Sequence, residues 1–195
     1  MEHAASRPLL LSLPNMLTMG RILAVPAMAA SFLLVRDGAG RWLALGIYLV
    51  ACITDWLDGH LARIWRQQSA LGRMMDPIAD KLLVGTALLL LVYDNTINGW
   101  TIWAAIIILC REILVSGLRE FLAELNKTVR VSQLAKWKTM LQMVALGVLI
   151  AGPAGDRIVA GITMTGTALL WVAATLTLYT GYDYLKAAIV YALEE

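Results

Sequence analysis

Six stretches of this chain, roughly 19–35, 41–63, 73–93, 97–119, 133–152 and 158–190, are nearly unbroken apolar runs. A helix that crosses a bilayer needs about 20 largely apolar residues. The connections are short and carry turn signals: Asp37-Gly38-Ala39-Gly40, Asp94-Asn95 and Gly152-Pro153-Ala154-Gly155. Only 15% of the 195 residues are charged, against about a quarter in an average soluble domain. The apolar excess is spread over the whole length, so a larger soluble core does not account for it. The pattern predicts one all-α polytopic membrane domain over residues 1–195, with six transmembrane helices. A net charge of +2 gives no argument for nucleic acid. Cys52 and Cys110 fall inside apolar runs with no second thiol or histidine at metal-ligand spacing, and are expected to act as small buried apolar residues. Near the start, Glu2 and the Pro14-Asn15 interruption spoil the basic-then-apolar pattern of a signal peptide, so the mature chain is expected to begin at or near Met1.

The distribution of basic residues sets an orientation. With a cytoplasmic N-terminus, eleven Lys and Arg fall on the inner side, against Arg36, Arg41 and Arg157 on the outer; Lys81 and Arg111 lie within segments. Such asymmetry marks the cytoplasmic loops. It places both chain ends, the 64–72 loop and the 120–132 loop inside the cell; the membrane is expected to be an inner (cytoplasmic) one of bacterial type.

Between the second and third segments stand four aspartates. Asp55 and Asp58 are spaced i,i+3, and Asp76 and Asp80 i,i+4, so each pair shares one helix face. An antiparallel pair joined by the short basic loop can bring all four to one point near the cytoplasmic surface. Like charges and desolvation oppose ionisation of such a group, and two divalent cations would neutralise it. Oxygen-only ligands favour Mg²⁺ or Mn²⁺ over zinc, and paired metals suit phosphoryl transfer. Gly59 and Ala62 allow a flat or phosphate-bearing ligand to approach the backbone, and Arg63 offers a fork for phosphate. Gly72 opens the third segment, Pro77 suits a first helical turn, and Asp80, farthest into its helix, is placed to take a proton. A cation transporter also uses intramembrane acids, but its transit site belongs at the bilayer midplane rather than at one end.

The stretch resembles the signature of the CDP-alcohol phosphotransferase family, D-x2-D-G-x2-A-R-x8-G-x3-D-x3-D, met at Asp55, Asp58, Gly59, Ala62, Arg63, Gly72, Asp76 and Asp80. The resemblance implies that family's fold: six transmembrane helices with a short N-terminal interfacial helix, a homodimer, and a site open to the cytoplasmic leaflet. It implies transfer of a phospho-group from a CDP-linked donor to an alcohol, with release of CMP. By the same resemblance Asp55, Asp58, Asp76 and Asp80 bind two divalent metals and Asp80 is the base. Asp58, Gly59, Ala62, Arg63 and Gly72 would contact the cytidine diphosphate.

Three further stretches resemble the branch of the family that makes phosphatidylglycerophosphate from CDP-diacylglycerol and glycerol 3-phosphate. LPNMLTMGRILAVP at 13–26 makes Asn15, Thr18 and Arg21 candidates for donor contacts. ITDWLDG with DPIADKLLV extends the aspartate stretch, and REILVSGLREFLAE (111–124) with KWKT (136–139) matches the branch's later helices, although Ala135 stands where the branch has Gly. The resemblance covers most of 13–142, and the last segment adds little. Arg111 and Arg119, eight residues apart, fall near one helix face. With Lys136 and Lys138 they could form a pocket for a phosphate dianion, which glycerol 3-phosphate requires and serine or choline does not. Sibling acceptors remain alternatives: phosphatidylglycerol for cardiolipin formation, inositol phosphate, or serine. Trp42, Trp65, Trp100, Trp103, Trp137, Tyr182 and Tyr184, near segment ends, are expected as interface anchors.

Overall fold

The computed structural model describes residues 13–35, 38–65, 70–124 and 133–193, and among them every regular element is a helix. In chain order these are α1 (Leu13–Leu34), α2 (Ala39–Trp65), α3 (Ala70–Tyr93), α4 (Thr101–Glu124), α5 (Gln133–Asp156) and α6 (Ile162–Leu193). Helices are the natural answer to these sequences in lipid, since each satisfies its backbone polar groups internally. Their outward faces are apolar: Leu23, Leu34, Leu89 and Met164 are each at least 66% exposed. Patches on that scale are unsuited to a water-facing surface.

Five of the six helices are long and apolar enough to cross a membrane, all but α3. In α3 the first half carries Arg73, Asp76, Asp80 and Lys81, and only residues 82–93 form an uncharged run. At the N-terminus, α1 starts at Leu13 and continues without interruption to Leu34. The LPNMLTMGR stretch therefore belongs to the same helix as the first apolar segment; residues 1–12 lie outside the described residues.

The chain divides into two compact units, residues 1–86 and 87–195. In the first, α1 packs along α2. The turn between them is tight: a Cβ at Gly40 would stand 2.6 Å from the carbonyl oxygen of Ser31, so only glycine lets the start of α2 sit against the end of α1. One stripe of α1 is buried, Asn15, Thr18, Arg21, Val25 and Met28, at spacings of three and four residues. Its first three members are polar and its last two apolar, so α1 changes character along one face.

In the second unit α6 packs against both α4 and α5. Leu91, Ile108, Leu146, Leu149, Leu170 and Ala173 are buried in it. After α3, Asn95 takes a left-handed conformation at φ 61, and the amide of Ile97 donates back to the Leu91 carbonyl at 2.8 Å. Near its end α5 breaks at Gly152, φ 37, immediately before Pro153. Asp156 then caps α6, accepting from the Thr163 amide at 3.1 Å and its hydroxyl at 2.6 Å.

Candidate active site

In the first unit, the polar end of the α1 stripe meets the carboxylates of α2 and α3. Nη1 of Arg21 donates to Oδ1 of Asp55 and, at 2.7 Å, to Oδ1 of Asp80. The Thr18 hydroxyl donates to Oδ1 of Asp76 at 2.7 Å. Asn15, Thr18 and Arg21 are each at most 2% exposed, whereas the side chains of Asp55 and Asp80 are 36% and 46% exposed. Carboxylates from two helices thus converge on a single nitrogen while keeping one side open. That nitrogen is cationic, so the two oxygens already share one positive charge between them. An oxygen donor set able to do this fits a hard divalent cation. Among the described residues no group of three or more Asp, Glu, His or Cys is gathered tightly enough to hold a metal. The fourth aspartate, Asp58, lies on α2, and its side chain is outside the described residues.

The same holds for Gly59, Ala62 and Arg63, which continue α2. Gly72 is the third residue of α3. Because α3 begins at Ala70, Pro77 sits inside the helix and not in its first turn, which corrects the sequence expectation. A proline there cannot donate to the carbonyl four residues before it, so the turn of α3 that leads from residue 73 to Pro77, and carries Asp76, lacks one internal bond. Thr18 and Arg21, expected from the family resemblance at the donor, are placed by the structure on the carboxylates.

In the second unit, a basic cluster forms where α4, α5 and α6 meet. Lys138, 1% exposed, pairs through Nζ with Oε1 of Glu112. The same oxygen accepts from Nη1 of Arg111 at 3.3 Å. Nη2 of Arg111 reaches the Thr180 hydroxyl at 3.4 Å. Arg119 donates from Nη2 to the Tyr184 hydroxyl at 2.9 Å and lies 5.0 Å from the centre of its ring. Two cations, Lys138 and Arg111, therefore share the Glu112 carboxylate, and Arg119 stands two turns further along α4 on Tyr184. The three cations outnumber the one described carboxylate among them, an excess positive charge suited to a phosphate dianion. Lys136 lies on α5 with its side chain outside the described residues.

Three sequence expectations change here. Tyr184, expected as an interface anchor, is buried at 4% exposure, because its hydroxyl and ring are both engaged by Arg119. The last segment, which added little to the motif reading, supplies Thr180 and Tyr184 to the cluster. The signal that could have marked them is the run of polar and small residues, Thr180, Gly181 and Asp183, late in an otherwise apolar helix. Of the two cysteines expected to be buried, Cys52 is half-buried and Cys110 exposed.

The model of the CDP-alcohol phosphatidyltransferase family matches residues 11–179. A Cereibacter sphaeroides protein named CDP-diacylglycerol–glycerol-3-phosphate 3-phosphatidyltransferase is 38% identical, over 94% of this chain and 98% of its own. Proteins of the same name from Rickettsia bellii and Sodalis glossinidius are 44% and 42% identical, over 90% and 91% of this chain and 94% and 95% of theirs. Agreement over nearly the full length, added to convergent aspartates on α2 and α3, leads to one conclusion: the chain belongs to the CDP-alcohol phosphatidyltransferase family.

Proposed function

We propose that the chain transfers the phosphatidyl group of CDP-diacylglycerol to sn-glycerol 3-phosphate, giving phosphatidylglycerophosphate and CMP, a step of phospholipid synthesis. The observation that carries this reading is the pairing of two features in one family member. One is a set of carboxylates converging on a shared positive charge. The other is a group of three cations, two of them sharing the one carboxylate of Glu112 and the third held by Tyr184, suited to an acceptor that is itself a phosphate. Relatives named for this activity support the choice of acceptor.

In this reading Asp55, Asp58, Asp76 and Asp80 hold two divalent cations, Mg²⁺ or Mn²⁺, which supply charge stabilisation to the transferring phosphoryl oxygens. Thr18 and Arg21 fix three of those carboxylates from α1. Gly59, Ala62, Arg63 and Gly72, with Asp58, line the seat of the cytidine diphosphate, and Asn15 extends the α1 face toward it. Asp80 takes the proton of the acceptor hydroxyl as its oxygen forms a bond to the lipid-bearing phosphorus. The bond from that phosphorus to the CMP oxygen breaks in line with the attack. Arg111, Arg119, Lys136 and Lys138 receive the acceptor phosphate. The six helices form a single polytopic domain of a homodimer with the site at the cytoplasmic leaflet, and an interfacial segment precedes the first crossing.

The test is CMP release by the purified protein with Mg²⁺ or Mn²⁺ and CDP-diacylglycerol, across a panel of acceptors. Release is expected to require glycerol 3-phosphate, and Asp80→Asn is expected to lower turnover by about 100-fold or more, the range of a lost general base. No release with glycerol 3-phosphate, or equal release with serine, inositol phosphate or phosphatidylglycerol, would overturn the assignment.

A further inference from the structure

Late in α6 the stretch Thr180-Gly181-Tyr182-Asp183-Tyr184 bears on both arginines of α4. Tyr184 holds Arg119 in two ways, by its hydroxyl at 2.9 Å and by its ring at 5.0 Å. A hydrogen bond fixes the direction of the guanidinium and the ring fixes its plane. Gly181 does the complementary job for Arg111: a Cβ there would stand 3.1 Å from Arg111 Cγ and 3.8 Å from its Nε. The missing methyl is the notch in which the Arg111 stem lies, with Thr180 meeting the far nitrogen.

Stability alone does not account for this arrangement. Arg119 is exposed, and an exposed charge gains little from a surface contact. Yet its head is held at two points by a tyrosine that is itself buried. An arginine side chain loses substantial rotamer freedom when it grips a ligand, and holding it beforehand removes that cost.

We infer that Tyr184 and Gly181 are positioning residues for the acceptor, holding Arg119 and Arg111 ready as two forks for its phosphate. The inference rests on the glycerol 3-phosphate reading above. Tyr184 acts through Arg119 and Gly181 through Arg111; neither touches the reacting atoms.

The test is steady-state kinetics of the full chain in lipid–detergent micelles, varying each substrate in turn. Tyr184→Phe keeps the ring and removes the hydroxyl. It is expected to raise KM for glycerol 3-phosphate about tenfold, the size of one charge-assisted hydrogen bond at the low end of its range. KM for CDP-diacylglycerol and kcat should stay within about twofold. Gly181→Ala should raise the same KM by displacing Arg111. In an Arg119→Ala background Tyr184→Phe should add less than about twofold, as befits two residues acting as one unit. An unchanged acceptor KM in an active Tyr184→Phe protein would overturn the inference. So would a parallel fall of kcat and both affinities, or a Tyr184→Phe effect that survives loss of Arg119. A wild-type chain inert toward glycerol 3-phosphate would overturn both this inference and the proposed function, whereas an active wild type with an indifferent Tyr184→Phe would sink this one alone.

Discussion

Lys136 and Lys138 look alike in the sequence, two lysines flanking Trp137 at the N-terminal end of an apolar segment. On a helix they point about 200° apart, and α5 is helical through both. Lys138 faces inward and is committed to Glu112. Its side chain is 2% exposed and that of Glu112 24%, so the pair lives largely out of water. Removing one member of such a pair strands the other, which costs roughly 3–5 kcal/mol in fully buried cases; the partial exposure of Glu112 places this pair at or below the low end. Lys138→Met is therefore expected to lower the thermal midpoint in detergent, and adding Glu112→Gln should restore part of the loss by removing the stranded charge. A double variant no more stable than Lys138→Met would show that the pair is not what holds α5 to α4. At this scale the aspartates were legible because their partners in spacing are local. Arg21 as their counter-charge was not, since it stands 34 residues from Asp55 and 59 from Asp80, and no local pattern encodes a pairing across three helices.

Among the elements, α6 shows the limit of reading by motif. Its apolar face gave no hint of what it packs against, and its contribution depends on two glycines at close approaches. Gly181 is one and Gly166 the other: a Cβ at Gly166 would stand 2.8 Å from Cγ and 2.9 Å from Cδ2 of Leu149 on α5. Those atoms belong to a side chain fully buried in the core, so Leu149 has little room to yield. Overpacking of this kind costs about 1–3 kcal/mol. Gly166→Ala should reduce thermal stability accordingly, and Leu149→Ala, damaging on its own because it leaves a cavity, should be much less so in the Gly166→Ala chain. Purely additive losses in the double variant would mean that α5 and α6 do not meet at this point. Helical character and the apolar runs were legible in the composition and length of each segment. The faces were not, because a helix apolar all round in lipid has no polar side to reveal its partners.

For the whole molecule, the basic residues carry an expectation of which way the chain threads the membrane. With six crossings and a cytoplasmic N-terminus, eleven Lys and Arg would fall on the inner side against three on the outer, and short loops follow such a bias. Arg157, just before α6, is on the sparse side, and Lys186, near the far end of α6, on the rich one; both are exposed. Since the stretch of α6 between them, Ile162–Lys186, is long and apolar enough to span a bilayer, the two positions must lie on opposite faces if that helix crosses. In a chain with Cys52→Ala and Cys110→Ala, Arg157→Cys is expected to react with a membrane-impermeant maleimide on intact cells. Lys186→Cys should react only after the membrane is opened. The reverse pattern would invert the topology and move the aspartates away from the cytoplasmic leaflet, where a water-soluble acceptor made inside the cell could not reach them. Labelling of both positions from outside would show that α6 does not cross. Because the direction of one crossing fixes that of every helix joined to it by a short turn, this measurement tests the placement of the active site as well as the path of the chain.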